Sequence, residues 1–254
     1  MPELSNAGVR IHYEVEGTGR PLVVQHGLGQ SGADWADAGY VEALKDIRQL
    51  VIVDGRGHGT SDKPHDRADY TPQRQASDVV AVLDDVGVDR ADYLGYSMGG
   101  HIGFALAKHA PGRISSFAIG GYGPYGLPAD TVAAMYTAMK DGIDAFAGLF
   151  EPREPMPPAM KARVLAGDVA AYKAFFTSGA SYPDPLDQVP PTIGVPSLIF
   201  VGEDDFALDG AVKAAKEIPN AALVTLPGLD HPQGFMHAEL VLPHLRTFLE
   251  DLSG

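Results

Sequence analysis

A serine held between two glycines stands out first: Gly95-Tyr96-Ser97-Met98-Gly99 joins an apolar run, Ala91 to Tyr96, to a stretch rich in small residues from Met98 onward. A Gly-x-Ser-x-Gly at a strand-to-helix junction forces a strained turn that lifts the serine Oγ above the sheet, beside a helix N-terminus. Glycine two residues before and two after the serine fits, because side chains there would collide across so tight a turn. The ordinary alternative is a serine N-cap of an unremarkable helix. A serine hydroxyl is a weak nucleophile at neutral pH and needs a neighbouring base, itself held by a third group. Two later loops supply both. Gly202-Glu203-Asp204-Asp205 follows the apolar run Pro196 to Val201, and Pro227-Gly228-Leu229-Asp230-His231 follows Ala222 to Leu226. The chain order is therefore nucleophile, acid, base, with Asp204, Asp205 and Asp209 competing for the acid.

The elements needed to position these residues are also written in the sequence. Val9 to Val15 alternates apolar and polar residues like a half-exposed strand, and Asn6-Ala7-Gly8 before it suggests a hairpin with Glu3 to Ser5. Pro21 to Gln25, Gln49 to Asp54 and Ile114 to Ile119 read as buried strands. Thr71 and Pro72 open a helix carrying Ala76, Val79, Val80, Leu83 and Val86 on one side, and Gly87 stops it. From Tyr122 to about Pro191 the patterns are helical, with no convincing strand. Val132, Met135, Tyr136 and Met139 share one predicted face, and Ile143, Phe146, Ala147 and Phe150 another. Helices are also predicted around Leu208 to Ile218 and at the C-terminal end, through Leu245, Phe248, Leu249 and Leu252. Strands alternating with helices predict an α/β protein with a mainly parallel sheet covered on both faces. The expected organisation is a core of residues 1–121 and 192–254, with 122–191 inserted as a helical lid over the carboxyl edge of the sheet. That edge is where open α/β sheets bind ligands. The alternative is an insertion that only enlarges the core.

Composition narrows the function. At 254 residues, 45% hydrophobic and 20% charged, the chain is an ordinary globular length and mixture. A formal net charge of -14 argues against nucleic acid and anionic membrane as partners. With no cysteine there are no disulfides and no thiolate metal sites. The first twenty residues lack a signal-peptide core and no run approaches a membrane span, which predicts a soluble, cytoplasmic protein. A metal site from His231, Asp230 and Asp204 would lack any HExxH-like spacing. Gly55-Arg56-Gly57-His58-Gly59 lacks the spacing of a dinucleotide-binding loop. No metal and no cofactor are expected. Of the nine histidines, His26 and His58 read as loop-bracing groups, and His237 and His244 as structural.

Five stretches in order resemble the α/β-hydrolase superfamily, in its compact lidded branch of esterases, lactonases and C–C bond hydrolases. They are HGLG at His26 to Gly29, DGRGHGTSDKP at Asp54 to Pro64, GYSMGG at Gly95 to Gly100, GEDD at Gly202 to Asp205 and GLDH at Gly228 to His231. The resemblance covers nearly the whole length and is weakest in the insertion. It implies the α/β-hydrolase fold, with Ser97 as nucleophile, Asp205 as acid, His231 as base, and the backbone N–H groups of Leu28 and Met98 as oxyanion hole. Two departures stand out: no carboxylate follows the Ile114 strand at Gly120-Gly121-Tyr122, and Pro232-Gln233-Gly234-Phe235 is less standard, so the loop bearing His231 is expected to be shaped differently. The expected reaction is hydrolysis of a small carboxylic ester or lactone through an acyl-enzyme, without a cofactor. Tyr122, Tyr125, Met135, Tyr136, Met139, Phe146 and Phe150 are expected to line a pocket for an uncharged, moderately hydrophobic substrate. The alternatives are C–C bond cleavage in a vinylogous diketone, and a non-catalytic receptor on the same fold. Oligomeric state is not readable from the sequence.

Overall fold

The computed structural model describes residues 3–181 and 183–252. The first half runs β1 (Glu3–Asn6), β2 (Val9–Glu16), β3 (Pro21–Gln25), α1 (Gly32–Asp37), α2 (Tyr40–Leu44), β4 (Gln49–Asp54), α3 (Pro72–Asp85), β5 (Ala91–Tyr96), α4 (Met98–His109) and β6 (Ile114–Gly120). Four helices come next: α5 (Ala129–Asp141), α6 (Ile143–Gly148), α7 (Pro158–Leu165) and α8 (Val169–Ser181). The chain then returns to the sheet with β7 (Ser197–Gly202), α9 (Leu208–Glu217), β8 (Ala221–Leu226), α10 (His231–Met236) and α11 (Ala238–Asp251).

Among the described residues eight strands form one sheet in the order β1-β2-β4-β3-β5-β6-β7-β8. The β1–β2 and β2–β4 pairs are antiparallel and the rest parallel. The antiparallel edge follows from the Asn6–Gly8 turn, where Ala7 and Gly8 both take positive φ (51° and 83°) as a two-residue hairpin demands. The central strands are apolar on both sides because helices cover both faces; β5 is buried at all six positions. Helix α3 starts where its cap predicts: Thr71 accepts from the Arg74 N–H, Pro72 opens the first turn and Gly87 follows at φ 71°.

One charged cluster ties the sheet together from inside. Asp92 on β5 is fully buried, and its carboxylate accepts from Arg48 Nε (3.1 Å), Arg20 (2.8 Å) and Ser116 Oγ (2.8 Å). Arg48 is itself buried and also donates to the Leu249 carbonyl, while Arg20 donates to that of Leu252 at 2.9 Å. The loops before β3 and β4, strands β5 and β6 and the end of α11 therefore share one anion. Removing that carboxylate strands a guanidinium away from water, the costly half of breaking a buried pair. Asp92→Ala is expected to lower the unfolding free energy by about 3–5 kcal/mol, read by urea denaturation. A loss below about 1 kcal/mol would show the cluster to be dispensable.

The four helices between β6 and β7 sit on the core through specific contacts. Tyr172 stacks on His58 at 4.8 Å, Tyr70 packs with Ala171 and Ala174, and Arg163 on α7 donates to buried Asp34 at 3.0 Å. His237, between α10 and α11, reaches Glu154 across this junction at 3.1 Å and holds Glu239 at 3.0 Å. The hydrogen bond to Glu239, then that to Glu154, raises the His237 pKa above its usual value. A histidine raised on folding contributes stability fully present below its unfolded pKa, about 6.5, and lost as pH rises through the higher folded value. The melting temperature of wild type should therefore exceed that of His237→Gln most at acidic pH, with the gap closing through neutrality and above. A gap that stays constant with pH would rule the clasp out.

Candidate active site

Strand β5 ends at Tyr96, and Ser97 turns the chain into α4 with φ 53° and ψ -110°. A non-glycine residue in that region costs on the order of 1–3 kcal/mol and persists only where its surroundings over-determine it. Here they do. The Ser97 N–H donates to the Gly120 carbonyl (2.9 Å), and the Ser97 carbonyl accepts from His101 N–H (3.1 Å). The flanking glycines are sterically required: a Cβ on Gly95 would sit 2.4 Å from the Gly99 carbonyl oxygen, and one on Gly99 2.1 Å from that of Gln25.

The sheet register brings the other two loops to the same edge. Tyr96 pairs with Gly120, Gly120 with Phe200, and Phe200 with Val224. Strands β5 and β6 thus end level, β7 and β8 run two residues further to Gly202 and Leu226, and the chains that leave this edge converge. His231 Nε2 lies 2.8 Å from Ser97 Oγ, and Nδ1 lies 2.9 and 3.0 Å from the two Asp205 oxygens. A carboxylate only accepts, so Nδ1 carries the proton and Nε2 is left as acceptor for the serine hydroxyl. Asp205 is shut off from solvent and also accepts from Ala207 N–H at 2.8 Å, which fixes the carboxylate plane. Of the competing acids, Asp204 points elsewhere, to Arg153 at 2.8 Å.

The chain at His231 is wound into a helix by its own side chains. Asp230 Oδ1 accepts from Gln233 N–H (3.1 Å), and the Gln233 side chain accepts from Asp230 N–H (3.2 Å). This reciprocal cap winds His231 to Met236 into a short helix, with Pro232 in its first turn. Tyr96, next to the serine, donates its hydroxyl to the His231 carbonyl at 2.7 Å. Phe206 lays its ring 4.2 Å from the imidazole. Neither contact had a signal in the sequence.

Ser97 and His231 open onto a cavity of about 580 Å³. Of the seven residues expected in a pocket, Tyr122, Met135 and Phe150 line it, and so do Leu28 and Met98. Met98 begins α4, so its N–H is among the four that a helix cannot satisfy internally. Four expected pocket residues lie elsewhere. Helix α5 faces the cavity with Thr131, Ala134 and Met135; Tyr136 lies about 100° further round, 41% exposed against the Phe176 ring, and Met139 turns into the core. Phe146 is fully buried between Phe150 and Tyr172, where it seats α6 over Gly29. Tyr125 is on the outer side, donating to Glu217 at 2.7 Å with Lys213 Nζ 3.8 Å above its ring.

His26 and His58 brace loops, as read from the sequence. His26 Nε2 accepts from Gly55 N–H at 3.0 Å and Nδ1 donates to the Gly27 carbonyl at 2.8 Å; His58 Nδ1 meets the Arg56 carbonyl at 3.1 Å. Burial pushes both imidazoles below their usual pKa, and so keeps them neutral.

The sequence profile of the alpha/beta hydrolase fold family matches residues 20–150, just over half of the chain. The chain belongs to the α/β-hydrolase fold family. Relatives extend the match to nearly its whole length. A cis-3-alkyl-4-alkyloxetan-2-one decarboxylase of Shewanella oneidensis is 28% identical over 98% of this chain and 87% of its own. The crystal structure of an enol-lactonase from Burkholderia xenovorans LB400 superposes with a TM-score of 0.84, at 27% identity over 98% of this chain and 100% of its own. The esterase RhEst1 from Rhodococcus sp. ECU1013 superposes at 0.83, with 26% identity over 98% of each chain. This chain is accordingly a hydrolytic enzyme of that family. Among the described residues of this hydrolase, no helix is long and apolar enough to cross a membrane.

Proposed function

We propose that this hydrolase cleaves a small, uncharged, moderately hydrophobic carboxylic ester or lactone through an acyl-enzyme on Ser97. The observation that carries the reading is the unbroken hydrogen-bonded line Asp205–His231–Ser97 opening onto the cavity. His231 Nε2 takes the hydroxyl proton as Oγ attacks the carbonyl carbon, then returns it to the departing alkoxide. Asp205 holds the Nδ1–H tautomer and stabilises the imidazolium without being protonated itself. The oxyanion faces the N–H groups of Leu28 and Met98, each such donor being worth about 10²–10³ in rate. Water, activated by the same imidazole, then releases the acid. Residues 122–191 act as a lid, contributing Met135, Phe150 and Phe175 to the cavity wall. That apolar wall supports an uncharged substrate, and the similarity to a lactonase and an esterase supports the bond type.

A fluorophosphonate probe should label the wild-type protein at Ser97. An unlabelled protein would instead be a receptor that binds without turnover. A panel of p-nitrophenyl esters, lactones and ring-cleavage diketones then fixes the bond. Esters or lactones should give the highest kcat/KM, and faster turnover of a diketone would replace this reading with C–C cleavage.

A further inference from the structure

His101 is not used in the proposed chemistry, yet it lies one helical turn beyond Ser97 and borders the same cavity. Residues four apart on a helix share a face, with β-carbons about 5–6 Å apart. The imidazole is fixed from two sides. Nδ1 is 3.0 Å from the Tyr122 hydroxyl, and the Phe175 ring stands edge-on at 5.7 Å. Tyr122 has no other hydrogen-bond partner among the described residues, and the arrangement that gives its O–H a partner within the protein has it donate to Nδ1. That arrangement leaves the ring proton on Nε2, which has no partner among the described residues and is not sealed from the cavity. Two other polar side chains on the wall are engaged within the protein: Gln30 accepts from Gly27 N–H, and the Ser178 hydroxyl lies against the Phe175 and Tyr70 carbonyls. Burial pulls the His101 pKa down to about 4, so at neutral pH the group is an uncharged donor. A ligand that displaces water from this donor must supply an acceptor in its place, and an uncharged donor is best matched by a neutral acceptor.

We propose that His101, oriented by Tyr122, is a specificity-determining residue that donates Nε2–H to a second oxygen on the substrate. That oxygen is a ketone or amide carbonyl on the chain beyond the scissile bond. The inference rests on the cavity being the substrate site, but not on Ser97 being the nucleophile.

Binding therefore tests it without turnover. In Ser97→Ala protein, calorimetry compares p-nitrophenyl hexanoate with its 4-oxo and 5-oxo analogues. At least one oxo ester should bind about tenfold more tightly than the plain ester, the order expected of one well-placed hydrogen bond. Adding His101→Leu should bring the ratio to about one, and His101→Gln, which keeps an N–H donor, should retain part of it. Tyr122→Phe, which frees the ring to change tautomer, should reduce it. Long-range ¹H–¹⁵N spectra should show the Nε2–H tautomer in the free protein. The proposal is overturned if neither oxo ester out-binds the plain one, if the preference survives His101→Leu, or if the proton is found on Nδ1. Should the leucine variant not fold, an undiminished preference in Tyr122→Phe overturns it equally. Failure of the acyl-enzyme reading would show in the labelling experiment and leave these binding ratios untouched.

Discussion

Ser97→Ala is expected to lower kcat on the best ester by about 10⁴–10⁶-fold while KM changes little, and to abolish fluorophosphonate labelling. The size follows from what is lost. Without Oγ no acyl-enzyme forms, and only the oxyanion donors and substrate positioning remain to assist attack by water. The fold should survive, because the turn is held by backbone groups, the Ser97 N–H on Gly120 and the His101 N–H on the Ser97 carbonyl. Alanine tolerates the φ of 53° little worse than serine does. An unchanged melting temperature together with collapsed kcat is thus the diagnostic pair. Retention of more than a few per cent of wild-type kcat would mean that another group attacks the substrate.

Asp205→Asn is the second large effect, expected at about 10⁴-fold in kcat. The amide matches the carboxylate in shape, so the buried cavity around it stays filled. It can, however, turn an N–H₂ toward His231 Nδ1, which favours the tautomer with the proton on Nε2. The imidazole would then confront the serine hydroxyl with a donor where an acceptor is needed. It would also lose the negative charge that stabilises its cation. A pre-steady-state burst with a p-nitrophenyl ester should disappear along with turnover, since acylation itself is impaired. A loss below tenfold would point to Asp204 or another carboxylate as the working acid, although Asp204 is paired with Arg153 in this structure.

Much of this site could be read before any coordinates. Strands β3, β4 and β5 have the bounds that their apolar runs and flanking turn residues predict, because a buried parallel strand leaves little room for ambiguity. Ser97 and His231 were marked by glycine spacing and by position after a strand. The choice of Asp205 over Asp204 came from family resemblance, because two adjacent carboxylates look alike until a partner is in place. The pocket was read less well. Met135 and Tyr136, or Phe146 and Phe150, are equally apolar in the sequence, and apolarity marks burial without its direction. Helices α1 and α2 span six and five residues, too short for a period to declare itself. Helix α10 spans only six residues and rests on the Asp230–Gln233 cap, a side-chain pairing that no apolar period marks. Arg153 pairs with residues more than fifty positions away, which no local pattern could announce.

The hydroxyl of Tyr96 on the His231 carbonyl bolts the strand that delivers the serine to the loop that delivers the imidazole. The reactive pair is thus anchored from the sheet side, and α5 and α8, which contribute Met135 and Phe175 to the cavity wall, are where amino-acid changes are expected to alter which molecules fit.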